Sequence, residues 1–436
     1  MMKRSGRRVA LLAWYPPDNP ALPPFIPNMG MYMVAAALRA SNLEGLELRI
    51  WDERTRAPAE VTQEISAFDP DVIGGSAYLW SLPALQETLV PLMQENPNRL
   101  LVMGGPSARP NMLALPPFSR IASLTDVLVE GEGEAVFRGL IAAPDRSHAG
   151  LSSLPGLTLK HDRGGWQTTK PAPRAVMDQL ASPYGQALIP AGGIGLLETY
   201  RGCPFTCSFC EWGVMEAPKN VLSAARIMEE FTAMDDLGLG AVLLADAGLN
   251  LNSQAFASLR RAAEETGFLA DRALIAEVYP KALTEDHIRF LETVGAPHIG
   301  VGLQSFDDAV LRHVERKFDP ARLGGLMDVL RSVASVTTEL IMGLPGDTPE
   351  RFLNSFDRAR ALGTGLRVYH CAVLPSALMA RAPASDLMDF DPVTLKMRRC
   401  RGWPGDSIGH IADQLTKAAH DAGGASGDYF WVFPPV

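Results

Sequence analysis

Short apolar runs alternate with helical patterns along most of this chain, and that alternation constrains its fold more than any other feature. RVALLAW (Arg8–Trp14) is of strand type and is followed by a proline-rich loop, Pro16–Pro27, and a helical pattern over Met29–Leu38. Strand-like runs recur at Leu46–Trp51, Asp71–Ser76, Leu100–Gly105 and Asp126–Glu130, with helical patterns at Ala59–Phe68 and Ala84–Gln94 between them. Strands joined through helices pair in parallel and need cover on both faces. The pattern therefore predicts α/β architecture, with a Rossmann-like doubly wound parallel sheet over residues 1–150. Ligands of such sheets sit at the carboxyl ends of the strands, here the loops Ser76–Trp80, Gly104–Ser107 and Glu130–Glu134.

Residues 151–190 are rich in turn formers, DRGGW among them, and read as a linker. From Ile194 the alternation resumes. Strands are expected at Gly195–Thr199, Ala241–Ala245, Ala273–Glu277, His298–Gly302, Glu339–Met342 and Gly365–Val373. Helices are expected at Ala224–Leu237, Ser253–Thr266, Glu285–Val294, Pro320–Ser332 and Pro349–Leu362. Such units predict a partial (β/α)6 TIM-like barrel over 191–380, with its chemistry at the C-terminal strand ends. Residues 381–436 form a short C-terminal segment whose aromatic end, Tyr429–Phe433, either closes as a lid or joins the core.

The 49 acidic and 40 basic residues give a net charge of -9 without long like-charge blocks, which argues against a nucleic-acid partner whose phosphates must be neutralised. No apolar run is long enough for a bilayer, and no basic stretch leads into an apolar one at the start, so no membrane role and a cytoplasmic location are the expectation. Five cysteines, an odd number, do not suit the disulfide framework of a small secreted domain.

Cys203, Cys207 and Cys210 stand in RGCPFTCSFCEW, directly after an expected strand. Zinc sites commonly use four ligands, and no fourth cysteine or well-spaced histidine is nearby. Soft thiolates suit an iron-sulfur cluster, and three of them leave one iron open. The spacing, the strand before it and Phe209 ahead of the last cysteine resemble the radical SAM superfamily. That resemblance implies a 4Fe-4S cluster whose open iron binds S-adenosylmethionine and whose electron cleaves it to a 5′-deoxyadenosyl radical. It also implies roles downstream. Asp246 in LADAGL would receive the methionine amino group, Glu277 would make a polar contact, Gln304 in GVGLQS would lie near the ribose and Arg316 would pair with the carboxylate. Gly343 belongs to ELIMGLPGDT, whose glycines would let backbone approach the adenine. Each has a plainer reading: Asp246 as a helix cap, Gln304 as a strand-end partner, Arg316 as a surface charge.

DVIGGSAYLW, LVMGGPS and DVLVEGEGE in the N-terminal sheet resemble the cobalamin-binding domain of cobalamin-dependent radical SAM enzymes, and the likeness runs over roughly 8–380. It implies cobalamin contacts at Ser76, Tyr78, Gly104, Gly105, Pro106, Ser107, Glu130 and Gly131, with Trp14 and Trp80 packing nearby. The histidine signature DxHxxG is missing, which fits a five-coordinate cobalt or a domain that kept the fold and lost the cofactor. The implied activity is methylation of an unactivated carbon, or phosphorus, of a small metabolite or natural-product intermediate, with flavodoxin or ferredoxin as electron donor. The alternatives are cyclisation, ring contraction or 3-amino-3-carboxypropyl transfer from S-adenosylmethionine, with or without cobalamin, and a non-enzymatic metal-binding regulator. Tyr200, Glu211, Trp212, Tyr279, Tyr369, His370 and Cys371 are candidate pocket residues.

Overall fold

Every residue from Val9 to Trp14 is buried, as a strand covered by helices on both faces must be. A computed structural model describes residues 6–15, 26–161, 164–214, 220–318 and 323–436. Most of the loop Pro16–Pro27 and the start of the helix expected from Pro320 lie outside the described residues. The chain divides into two compact units, one made chiefly of 27–190 and the other of 191–391 and 395–436.

The first unit holds β1 (Arg8–Trp14), β2 (Glu47–Glu53), β3 (Val72–Ser76), β4 (Leu100–Gly104), β5 (Val127–Val129), β6 (Leu157–Lys160) and β7 (Trp166–Thr168), in the order β2-β1-β3-β4-β5-β6-β7. The first five are parallel, and the order reverses between β1 and β3, where doubly wound sheets bind ligands. The helix Met29–Arg39 starts on Asn28, whose side chain accepts from the Met31 amide at 3.2 Å.

Residues 151–190 are not the expected linker. They add β6 and β7, both antiparallel, to the sheet. Leu157 and Leu159 are buried and face a hairpin partner, while Gly164 and Gly165 take φ of +86° and +84° in its turn. The His161 amide donates to Gly165 O at 3.0 Å to close it. The glycines that read as linker are turn residues of a hairpin.

In the second unit the six parallel strands are β8 (Ile194–Leu197), β9 (Ala241–Leu244), β10 (Ala273–Val278), β11 (Ala296–Gln304), β12 (Ser335–Met342) and β13 (Gly365–His370). A separate ribbon pairs β14 (Asp389–Phe390) with β15 (Met397–Arg399). The chain then returns through the helix Ser407–Asp421 to β16 (Ala425–Ser426) and β17 (Phe430–Phe433), and β17 pairs antiparallel with β13. The aromatic end is thus a strand of the sheet, between β13 and β16, and not a lid. Sheet order β16-β17-β13-β12-β11-β10-β9-β8 matches the expected partial barrel.

Candidate functional site

Strand β8 runs straight into the cysteine loop, and Asp246 after β9 holds the junction. Its carboxylate accepts from the Thr199 amide at 2.7 Å, the Tyr200 amide at 3.3 Å and the Thr199 hydroxyl. Asp246 is buried, and that burial pushes its carboxyl up to about 7 against the pull of the Thr199 and Tyr200 donors. These bonds make it an anchor for the loop. Tyr200 is fixed by its hydroxyl donating to Gly248 O at 2.7 Å, so it packs and does not line a pocket.

All five cysteines are in thiol form, with Cys207 buried and Cys203 and Cys210 half-buried. Burial pushes the Cys203 thiol up, the Phe205 amide and Arg316 draw it down, and Cys207 adds to the rise. Among the described residues no group of three His, Cys, Asp or Glu side chains converges as a single-ion site. The loop's donor set is three soft sulfurs on one short stretch, with half-buried Phe209 between the last two, which fits a cluster.

Beside this loop lie polar atoms that are buried and have no partner. They are Tyr279 Oη, Gln304 Oε1 and Arg316 Nε. Gln304 ends β11 with φ of +70°, in the left-handed region, next to the register shift that separates it from Gly302. Arg316 donates to Gly302 O, and its guanidinium carbon lies 4.9 Å from the Tyr279 ring centroid. Tyr279 in turn packs on Phe205 of the cysteine loop, with centroids 4.5 Å apart. Buried polar groups are seldom left unmatched. Three of them gathered beside the cysteine loop fit a polar ligand such as S-adenosylmethionine.

A second polar group occupies the inner face of the same sheet. Glu339 pairs in register with Arg367, and its carboxylate accepts from the Tyr369 hydroxyl at 3.0 Å. Arg367 donates to that hydroxyl at 3.2 Å and keeps Nε buried without a partner. Glu277 stands opposite Gly300, where a Cβ would fall 2.1 Å from its Oε1, so the glycine makes room for the carboxylate. Burial raises both acids, and for Glu277 the Glu339 charge adds to the rise. Glu277 stays open to solvent on one side, which moderates its share.

Gly343 follows β12 in the GLPGDT turn. Its φ is +90°, and a Cβ there would meet Ile408 at 3.4 Å and Cys371 at 3.5 Å. The GLPGDT turn is gripped by the C-terminal segment: Gly346 N donates to Arg401 O at 2.8 Å and Trp403 Nε1 to Leu344 O at 3.0 Å. The left-handed φ of Gly343 is what calls for glycine there, since its side-chain contacts are of ordinary length, and buried Cys371 lies in the same contact. His370 likewise packs, its Nε2 being 2.8 Å from Met397 O and its ring stacked on Trp431. Glu211 accepts from the Ser376 amide at 2.8 Å, and Trp212 is exposed.

In the first unit the loops after β3, β4 and β5 bring the remaining candidates to one edge. Ser76 Oγ and Asn28 Oδ1 are 3.1 Å apart. Ala77 links the first two loops, its amide donating to Gly104 O at 2.7 Å and its carbonyl accepting from the Ser107 amide at 3.0 Å. A Cβ at Gly104 or Gly131 would meet nothing within 4 Å, and Gly131 has φ of +129°. At Gly105 it would strike Ala77 O at 2.7 Å, so that glycine serves the loop's own packing, beside half-buried Pro106. Glu130 accepts from Thr158 Oγ1 at 2.6 Å, tying β5 to β6. Tyr78 stacks on exposed Trp80 at 4.8 Å, whereas Trp14 sits in the core, donating to Thr88 at 3.2 Å. Open glycines next to a stacked aromatic pair fit a flat, bulky ligand such as a corrin.

Sequence reasoning missed Arg367 and Arg381. Period-two spacing of Arg367 with Tyr369 on β13 was a usable signal for an inward polar face. Arg381 had none, since its partners are backbone carbonyls on the cysteine loop, up to 175 residues away.

Comparison with known proteins bears on both units. A model of the radical SAM superfamily matches residues 197–359, and a model of the B12 binding domain matches residues 21–141. The 2-(S-pantetheinyl)-carbapenam-3-carboxylate methyltransferase of Streptantibioticus cattleyicolor is 27% identical over 345 residues, covering 72% of this chain and 49% of its own. The cobalamin-dependent radical SAM methyltransferase TokK of Streptomyces tokunonensis is 26% identical over 339 residues, covering 71% and 48%. The chain thus spans about half the length of these curated relatives. The solved structure of the radical S-adenosylmethionine methyltransferase TsrM from Kitasatospora setae, with cobalamin and a [4Fe-4S] cluster bound, shares the fold at a TM-score of 0.67 and 18% identity. It covers 95% of this chain and 88% of that one. No helix among the described residues is long and apolar enough to cross a membrane.

Proposed function

From a chain in which a B12-binding domain precedes a radical SAM domain, we propose an enzyme that binds a 4Fe-4S cluster, S-adenosylmethionine and cobalamin. It methylates an unactivated carbon, or phosphorus, of a small metabolite or natural-product intermediate. The observation that carries this reading is the trio of unpartnered buried polar atoms, on Tyr279, Gln304 and Arg316, beside a loop of three thiols. Reductive cleavage of a sulfonium and methyl delivery are the chemistry these groups supply when bound.

The chain's own residues hold and orient. Cys203, Cys207 and Cys210 would take the cluster, and Asp246 fixes the strand end from which they hang. The Arg316 guanidinium suits a carboxylate and Gln304 Oε1 suits a donor. Gly104, Gly131, Tyr78 and Trp80 would receive the corrin face. An external electron donor such as flavodoxin or ferredoxin completes the reading.

The test is anaerobic reconstitution with iron, sulfide and hydroxocobalamin, removal of unbound corrin, and measurement of metals and absorption. About four irons with one cobalt per chain is the expected result. Iron without cobalt would move the reading to transfer of another fragment of S-adenosylmethionine, an outcome for which the Gly105 packing role leaves room. Zinc in place of iron would sink the enzyme reading.

A further inference from the structure

The structure assigns Arg381 as a positioning residue for the cysteine loop: it gathers the loop carbonyls onto one guanidinium and places there a positive charge, with no carboxylate paired directly to it, that raises the reduction potential of a cluster held there. The inference rests on the reading that Cys203, Cys207 and Cys210 carry a 4Fe-4S cluster.

Arg381 ends a one-turn helix, Leu378–Arg381, after β13. Its Nη2 donates to the carbonyls of Cys207 at 3.0 Å, Ser208 at 3.4 Å and Cys210 at 2.6 Å, and Nη1 to that of Thr206 at 3.2 Å. Nε donates to Ser376 O at 3.1 Å, which fixes the side chain to its own turn. Four loop carbonyls pointing at one place would repel one another without a cation among them, although that of Cys207 also accepts from the Cys210 amide at 3.1 Å. A guanidinium offers five donors in a rigid plane, and a lysine ammonium, with three donors on one atom, cannot span the same set.

The segment grips the loop at a second point, through the Ser376 amide on Glu211 at 2.8 Å. The opposite side of the loop is held separately: the Ser208 amide donates to Val314 O at 3.1 Å and Thr206 Oγ1 to Glu315 at 2.9 Å. Loop geometry is therefore set from two sides, and Arg381 is the charged one.

Every hydrogen-bond partner of Arg381 is a backbone carbonyl, and among the described residues no carboxylate pairs with it. Reducing the cluster by one electron, from titanium(III) citrate in a titration, adds one negative charge to the loop and breaks no bond. A fixed cation at hydrogen-bond distance from the ligands' own carbonyls favours that added charge, and net charge and hydrogen bonding are known levers on cluster potentials.

The experiment compares wild type, R381K and R381Q, reconstituted anaerobically as the full chain. Iron and sulfide content is measured first, then the midpoint potential and electron paramagnetic resonance line shape of the loaded fraction. R381Q is expected to load less cluster and to show a lower midpoint potential. R381K is expected to keep a near wild-type potential while loading incompletely, because it keeps charge and loses the fan of bonds. An unchanged potential and line shape in loaded R381Q would overturn the inference. If R381Q takes up no iron, R381K decides: partial loading at near wild-type potential supports the inference, and loading as poor as that of R381Q overturns it. A wild type that binds no 4Fe-4S cluster would instead sink the reading on which the inference stands.

Discussion

Strands β4 and β10 carry the same kind of sequence to different ends. In β4, Leu100 to Met103 are all buried, whereas in β10 burial alternates: Leu274, Ala276 and Val278 are inside, and Glu277 between them is open. A doubly wound sheet has helices on both faces, so chemistry is confined to its strand ends. A partial barrel has helices on one face only, which frees every second residue of each strand for the interior. The contrast explains why the first unit offers a ligand glycines and loop backbone, and the second offers Glu277, Glu339, Arg367 and Tyr369 as well.

The comparison breaks if the two units do not lose their ligands independently. Cys203→Ala, Cys207→Ala or Cys210→Ala should abolish iron uptake and any radical chemistry while leaving cobalt binding intact, measured as metals per chain. Loss of both metals together would mean that the corrin is not held by the first unit alone.

Glycines sharpen it. Gly105→Ala meets rigid backbone at Ala77 O in a left-handed conformation and should cost about 1–3 kcal/mol in urea unfolding. Gly300→Ala meets only the flexible end of Glu277 and should cost about 1 kcal/mol. Equal costs would show that the barrel interior is as tightly packed as the first unit's strand ends.

The smallest effect is on pH. Burial raises Asp246 and Asp347 in the second unit to about 7, and Asp52 in the first to about 6. The folded chain then holds protons that the unfolded chain releases at lower pH, so the contribution of these groups to stability is fully present below the ordinary carboxylate range and is lost as pH rises from there to their folded values. Melting temperature should decline from pH 5 to about 8, the value to which burial raises Glu277, with a shallower decline in Asp246→Asn. A rise over that interval would contradict the assigned environments.

Much of the fold was legible because it rests on local pattern. Alternating strands and helices predicted both sheets, and the spacing of Cys203, Cys207 and Cys210 predicted the loop. Gly164 and Gly165 misled, since a linker and a hairpin turn use the same residue.

By itself the sequence determined which residues can form strands, which faces of them are apolar and where three soft ligands stand together, because those properties depend on neighbours along the chain. Only the tertiary structure decided that the Asp246 carboxylate turns toward the amides of Thr199 and Tyr200, that Glu277 folds over Gly300, and that Arg381 reaches back some 170 residues to the cysteine loop. Such contacts depend on where long crossovers return, and no local spacing encodes that.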